Sequence, residues 1–284
     1  MAARRVFLFL LFTAFACAQP RRIISTAPSI TGMLYSLGLG DRVVGVTTYC
    51  HWPPEAMKKP KIGTYLEPNL EAIAALRPDL VIIQTNPIQL QAKLERLGLR
   101  VVEVSHNNIA DVYGSIQKIG DAAGVPDRAA KLNATLRARI ADIQARVAKY
   151  PKRSMMFIIG RAPNRLEDLV AVGRASYLNE LMAVAGGQNI FADAVAPYPK
   201  VGMEEILSRN PQVIVDMGDM AETTGVTEAH KRAVVVLWNV YPSVAAVREH
   251  RVFAVASDIF VEPGPRMVEA AQAFARMLHP EAGL

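Results

Sequence analysis

The chain has 284 residues, of which 51% are hydrophobic and 20% charged, with a formal net charge of +6. This is ordinary globular composition, enough for one or two packed domains. The basic residues are scattered, without Lys/Arg blocks or interleaved aromatics, which argues against nucleic-acid binding.

Arg4 and Arg5 precede an apolar run from Val6 to Ala16, too short to span a bilayer as a helix. Ala16-Cys17-Ala18 fits a small-x-small cleavage site, so residues 1–18 are predicted to be a secretory signal peptide and Gln19 the first mature residue. A soluble, exported, periplasmic protein follows. The alternative is cleavage before Cys17 with a lipid anchor on its thiol. Ala14-Phe15-Ala16-Cys17 matches a lipoprotein box poorly, because Phe15 is bulky and Ala14 stands where Leu is usual. Cleavage at Ala18 leaves Cys50 as the only cysteine, with no internal disulfide partner.

In chain order, Arg22–Ser25 reads as a short strand, and Ser29 as the cap of a helix Ile30–Leu37 that ends at Gly38. Val43–Thr47 is a β-branched strand. A polar-aromatic loop, Tyr49-Cys50-His51-Trp52-Pro53-Pro54, follows. Asn69 then caps a helix, Leu80–Gln84 is a strand, Ile88–Leu97 a helix stopped by Gly98, and Arg100–Val104 another strand. This alternation argues for an α/β lobe with a mainly parallel sheet.

Over Asp127–Lys149 the pattern changes. Leu132, Leu136, Ile140, Ile143 and Val147 recur every three or four residues with Arg and Lys between them, and nothing breaks the run before Pro151. A helix of that length would extend roughly 35 Å at about 1.5 Å per residue, and it reads as a rigid spine. Beyond it come a buried strand at Ser154–Gly160, a helix Ser176–Ala185 ending in Gly186-Gly187, and strands at Val213–Asp216 and Val252–Ala256. Gly218–His230 reads as a polar, mobile loop, and Pro265 as the start of a last helix through Leu278. The predicted organisation is an N-terminal α/β lobe over 19–126, a linking helix over 127–150 and a C-terminal α/β lobe over 151–284.

The two halves repeat one another. Asn69-Leu70-Glu71-Ala72-Ile73 through Arg77-Pro78-Asp79-Leu80 has its counterpart in Gly202-Met203-Glu204-Glu205-Ile206 through Asn210-Pro211-Gln212-Val213. Glu71 matches Glu204, Ile73 matches Ile206, and Pro78 matches Pro211. A repeat at this distance argues for two similar lobes, hence a cleft. Each glutamate sits in the first turn of its helix, where it complements the helix dipole. As a matched pair the two carboxylates could also dock on paired arginines of a partner.

Catalytic motifs are missing. There is no G-x-S-x-G elbow, Walker A loop or G-x-G-x-x-G turn, and none of the five histidines forms H-E-x-x-H. An enzyme is not expected, and no metal site either, although His51, His106 and Asp258 from different loops have the right chemistry for one. Tyr49, Trp52, Tyr65 and Tyr198 lie in loops between strands and helices, and the prolines on either side of Tyr198 stiffen its segment. Rigid amphipathic rings at strand ends suit a large, flat, partly polar ligand.

Ile24-Ser25-Thr26-Ala27-Pro28-Ser29, Gly38-Leu39-Gly40-Asp41-Arg42-Val43-Val44-Gly45, the Tyr49–Pro54 loop, Asn69-Leu70-Glu71 and Gly186-Gly187-Gln188-Asn189-Ile190-Phe191 resemble the substrate-binding proteins of ABC importers for vitamin B12 and iron–siderophores. Within them the chain is most similar to the periplasmic cobalamin-binding type. The resemblance implies a class III periplasmic binding protein, two Rossmann-like lobes joined by one long helix, with little hinge motion. It implies that Tyr49, Tyr65 and Tyr198 contact a corrin, that Asp258 contacts the ligand, and that Glu71 and Glu204 dock on a membrane permease. Two positions depart from the pattern: Gly32 stands where Glu is common, and Glu262 replaces an arginine beside the ligand.

The expected function is capture of cobalamin or a related corrinoid and its delivery to an importer, by a monomer with no cofactor of its own. The alternative is an iron–siderophore or haem carrier, for which Arg161, Arg165 and Arg174 would offer cations to an anionic ligand. Contact of Cys50 or His51 with cobalt is left open.

Overall fold

Short apolar runs punctuated by Gly and Pro build two sheets of the same design. The computed structural model describes residues 19–85, 88–218 and 226–284. The predicted signal peptide over 1–18, with Cys17, lies outside the described residues. The first lobe holds β1 (Ile23–Ser25), α1 (Pro28–Ser36), β2 (Val43–Gly45), α2 (Leu70–Ala75), β3 (Leu80–Gln84), α3 (Leu90–Arg96), β4 (Val101–Val104) and α4 (Ile109–Ala122). The helix α5 (Pro126–Val147) leads to the second. There follow β5 (Arg153–Gly160), β6 (Val170–Ala171), α6 (Tyr177–Val184), β7 (Gly187–Asn189), α7 (Met203–Arg209), β8 (Val213–Asp216), α8 (Glu228–Trp238), α9 (Ala245–Arg248), β9 (Val252–Ala254) and α10 (Met267–Leu278).

The first sheet runs β2-β1-β3-β4, all parallel. In the second, β7, β8 and β9 are joined in parallel around β5 in the equivalent order β7-β5-β8-β9. The short β6 is an addition, antiparallel to the far end of β5 at Ile158 and Gly160. The repeat therefore extends from sequence to strand order. It extends to the backbone as well: Arg77 and Asn210, each one residue before a proline, both take a left-handed φ of +44°. Pro78 and Pro211 deny these helices a continuation, and the left-handed residue turns the chain into β3 or β8.

Leu136, Ile140, Ile143 and Val147 of α5 are buried, and its charged faces are turned to solvent. The buried stripe packs on α4 from the first lobe and on α6 and α10 from the second. One continuous apolar cluster results, running from Ile23 and Ile30 through α5 to Phe157, Phe260 and Phe274. Those last three rings meet edge-on or tilted at 5.2–5.6 Å between centroids, a preferred geometry for aromatic contact.

Several local expectations are corrected. Ser29 does not cap α1: Ala27 is the cap residue, Pro28 opens the helix, and Ser29 is buried with its hydroxyl turned to Gln84. The helix α4 was not foreseen, although Asn108 caps it by accepting from the Asp111 amide. The predicted loop Gly218–His230 is cut short, because Thr227 accepts from the His230 amide and starts α8. The last helix begins at Met267 rather than Pro265. Asn69 does cap α2, and Ser176, read as the first residue of its helix, is the cap of α6.

Candidate functional site

In a parallel sheet the carboxyl ends of the strands open on a crevice that the helices do not cover, and ligands bind there. Both sheets turn these ends toward each other. From the first lobe, Ala27 and Ser29 follow β1, Thr47 and Tyr49 follow β2, Gln84 ends β3 and His106 follows β4. Together with Tyr65 and with Val261, Glu262 and Pro263 from the second lobe, they enclose a cavity of about 250 Å³. An adjoining cavity of about 610 Å³ lies over Ile159, Tyr177, Tyr198 and Phe260. His106, Val261 and Pro263 border both, so the two form one cleft between the lobes. Its combined extent is within the range of small-molecule sites.

The rings differ in how they are held. Tyr65 donates its hydroxyl to the Thr85 carbonyl at 2.8 Å, which fixes the ring against the end of β3. Tyr198 is 44% exposed and shares a hydrogen bond with the Ser176 hydroxyl at 3.3 Å. Its segment is fastened on both sides, since the Gly173 and Ala171 amides donate to the Pro197 and Pro199 carbonyls. Tyr49 is 53% exposed, with its ring open to the cleft. Tyr177, missed by the sequence reading, is buried and donates its hydroxyl to the Phe260 carbonyl at 2.9 Å.

Trp52 stands apart. It lines a different depression, with Tyr35, Asp41 and Glu55, and not the cleft. Its ring covers α1 at Gly32, where an added Cβ would meet it at 3.5 Å, and Arg266 lies 5.1 Å above the ring centroid. Trp52 thus packs directly over the Gly32 position, at ordinary contact distance for a Cβ there and in the path of any longer side chain. Asp258 also lines neither cavity: it opens a 3-10 turn and accepts the Val261 and Glu262 amides on its carbonyl.

The polar groups of the floor form a short relay. The Ser29 hydroxyl donates to Gln84 Oε1 at 3.2 Å, and Gln84 Nε2 donates to His106 Nε2 at 2.7 Å. His106 Nε2 is then an acceptor, the proton sits on Nδ1, and Nδ1 is buried without a hydrogen-bond partner. Burial holds the His106 imidazole below its ordinary pKa, with Asp111 opposing it. Burial, and then Asp258, push the Glu262 carboxyl up to about 8, against the opposite pull of Arg266. Cys50 is fully buried behind the floor at 3.1 Å from the Thr31 and Thr47 hydroxyls, out of reach of a ligand.

No Lys or Arg lines either of these two cavities among the described residues. The segments 86–87 and 219–225, outside the described residues, contain none either. Of the three arginines weighed for an anionic ligand, Arg161 is buried and bound to Asp216, while Arg165 and Arg174 are exposed and border neither cavity. No group of three or more His, Cys, Asp and Glu suited to a metal ion occurs among the described residues. No helix among them is long and apolar enough to cross a membrane.

Glu71 and Glu204 are exposed in the first turns of α2 and α7, and neither makes an ion pair among the described residues. Glu71 borders an apolar groove formed with Leu70, Ala74 and Leu97.

The profile of the family described as periplasmic binding protein matches residues 23–259. An uncharacterized ABC transporter substrate-binding lipoprotein, YvrC of Bacillus subtilis, is 30% identical over 93% of this chain and 81% of its own length. The vitamin B12-binding protein of Vibrio cholerae is 28% identical over 93% of this chain and 92% of its own. The crystal structure of periplasmic vitamin B12 binding protein BtuF of Vibrio cholerae superposes with a TM-score of 0.76 at 27% identity, covering 93% of this chain and 98% of that one. The periplasmic heme-binding protein RhuT of Roseiflexus sp. RS-1 has the same fold, with a TM-score of 0.78 at 24% identity over 92% and 99% of the two chains.

Proposed function

The chain belongs to the periplasmic binding protein family, and from that premise we propose that it captures cobalamin or a related corrinoid between its lobes and delivers it to an ABC importer. The observation that carries the choice of ligand is the charge of the cleft. Haem has two carboxylates and a ferric catecholate siderophore carries net negative charge; burying either without a cation is costly. The walls offer no guanidinium or ammonium and one acid, Glu262. Cobalamin fits better, since its corrin rim carries neutral amides. Tyr49, Tyr65 and Tyr198 would lie against its faces and edges, burying apolar area at about 25 cal/mol per Å². Asp258 acts from behind the wall, through Glu262.

The family is a non-enzymatic transport component, and no bond-making step is assigned to the site. Glu71 and Glu204 are the proposed contacts to the permease, one from each lobe, as exposed carboxylates that complementary arginines would hold in register. The lobes are taken as 19–126 and 151–284 about the linking helix, the protein as a monomer, and residues 1–18 as its export signal. Mass spectrometry and visible absorption of the ligand that co-purifies from the native host test the reading. A corrinoid spectrum supports it, and haem or a ferric chelate overturns it.

A further inference from the structure

We propose that Glu262 faces the cleft as a neutral acid and donates a hydrogen bond to a carbonyl oxygen on the rim of a planar, amide-bearing ligand. The protein thereby prefers uncharged ligands to those bearing a carboxylate at that place. The inference rests on the corrinoid reading and adds a named selector to it.

Glu262 borders the cavity that also holds Ser29, Tyr49 and Tyr65, and it is the only Asp, Glu, Lys or Arg among the described wall residues. No hydrogen bond or ion pair among the described residues engages its carboxyl. Asp258 lies one turn back, joined through its carbonyl to the Glu262 amide at 2.9 Å. Arg266, the nearest cation, is committed elsewhere: its Nε and Nη2 bind Glu269 Oε2 at 3.2 and 3.1 Å, and its guanidinium covers Trp52. The remaining titratable groups facing the site or packed behind it supply no positive charge at neutral pH. From α6 comes Tyr177, from the segments after β2 and before α2 come Tyr49, Cys50 and Tyr65, and from beyond β4 comes His106, held neutral by burial.

Burial and the Asp258 charge therefore keep a proton on Glu262 up to about pH 8. The result is an O–H donor at the cleft wall to which no described residue offers an acceptor. An amide carbonyl on the ligand supplies one. A ligand carboxylate would bring a second negative charge beside Asp258 with no cation to receive it. A bound ligand also removes the water that would solvate an ionised Glu262, so binding and protonation support each other. Affinity is then full below about pH 8 and falls as pH rises through that value.

The test is calorimetric titration of the mature chain with cyanocobalamin at about pH 7, 8 and 9, beside Glu262→Gln and a cyanocobalamin derivative with one rim amide hydrolysed to the acid. The wild type is expected to lose roughly tenfold in affinity between pH 7 and 9. The slope should vanish in Glu262→Gln, and the acid derivative should bind more weakly than the parent at pH 8. Wild-type affinity that holds or rises to pH 9, or a Glu262→Gln protein that keeps the slope, overturns the inference and leaves the corrinoid reading standing. Absence of any cyanocobalamin binding at pH 7 overturns both.

Discussion

Arg161 donates its Nε to both carboxylate oxygens of Asp216, at 3.2 and 3.1 Å, and neither side chain retains exposed area. The Trp238 indole and the Gly218 amide complete the acceptor set of Asp216, each at 2.8 Å. The pair fastens the ends of β5 and β8 and the helix α8 to one another. Removing one partner strands a buried charge, so Arg161→Leu should cost about 3–5 kcal/mol. Urea unfolding followed by circular dichroism reads it, and a loss below about 1 kcal/mol would remove the pair's structural role.

Tyr65→Ala and Tyr198→Ala should each weaken corrinoid binding by about 1–3 kcal/mol, roughly 5- to 100-fold in Kd. Trp52→Ala should leave Kd within about threefold while lowering Tm, because its ring covers Gly32 and supports Arg266 away from the cleft. Calorimetric titration beside thermal melts separates the two effects.

Glu71→Ala with Glu204→Ala should leave ligand affinity intact and abolish stimulation of the importer's ATPase in reconstituted membranes. Each single variant should lose part of it. Exposed first-turn carboxylates contribute little to stability, about 0.3–1 kcal/mol, so both proteins should melt close to the wild type.

Cys50 should not react with Ellman's reagent at pH 8 in the native protein and should react fully in denaturant. Burial raises its thiol pKa, and no solvent reaches it. Rapid native labelling would show that the floor behind Thr31 and Thr47 opens.

Glu262 also predicts a stability profile. Its folded pKa of about 8 lies above the ordinary 4.5. The folded state therefore holds more protons between those values, and stability contributed by this group declines from about pH 4.5 to 8 and is flat above. Glu262→Gln should accordingly stabilise the ligand-free protein above pH 8, by on the order of 2 kcal/mol after allowing for relaxation, and make no difference below pH 4. Melting curves across that range decide it.

The sequence was most readable where one residue enforces one conformation. Pro78 and Pro211 ended their helices, Asn69 and Ser176 supplied caps, and the stripe from Leu136 to Val147 marked α5. It was least readable where the outcome depends on a distant partner. Ser29 has a capping side chain, but Gln84, fifty-five residues away, takes its hydrogen bond. Arg161 looks like a cation available to a ligand until β8 brings Asp216 beside it. Trp52 shares the loop of Tyr49, yet it packs onto α1 over Gly32. Glu262 stood out as a departure from the family, but its raised pKa follows first from burial, and then from a fold that leaves Asp258 near and commits Arg266 to Glu269. The helix α4 carries a clear cap and stripe, Asn108 with Val112, Ile116 and Ile119, and was there to be found.

The apolar cluster that runs unbroken through α5, with the Ile109 amide of α4 held by Glu180 of α6 at 2.8 Å, ties the two lobes together and bears on how the proposed cargo would leave. Swinging the halves wide apart would wet the shared interior along the length of the rod, so a spontaneous gape is disfavoured. Under the docking proposed above, unloading calls for leverage from outside, applied through Glu71 and Glu204, and an occupied carrier drifting alone keeps its passenger.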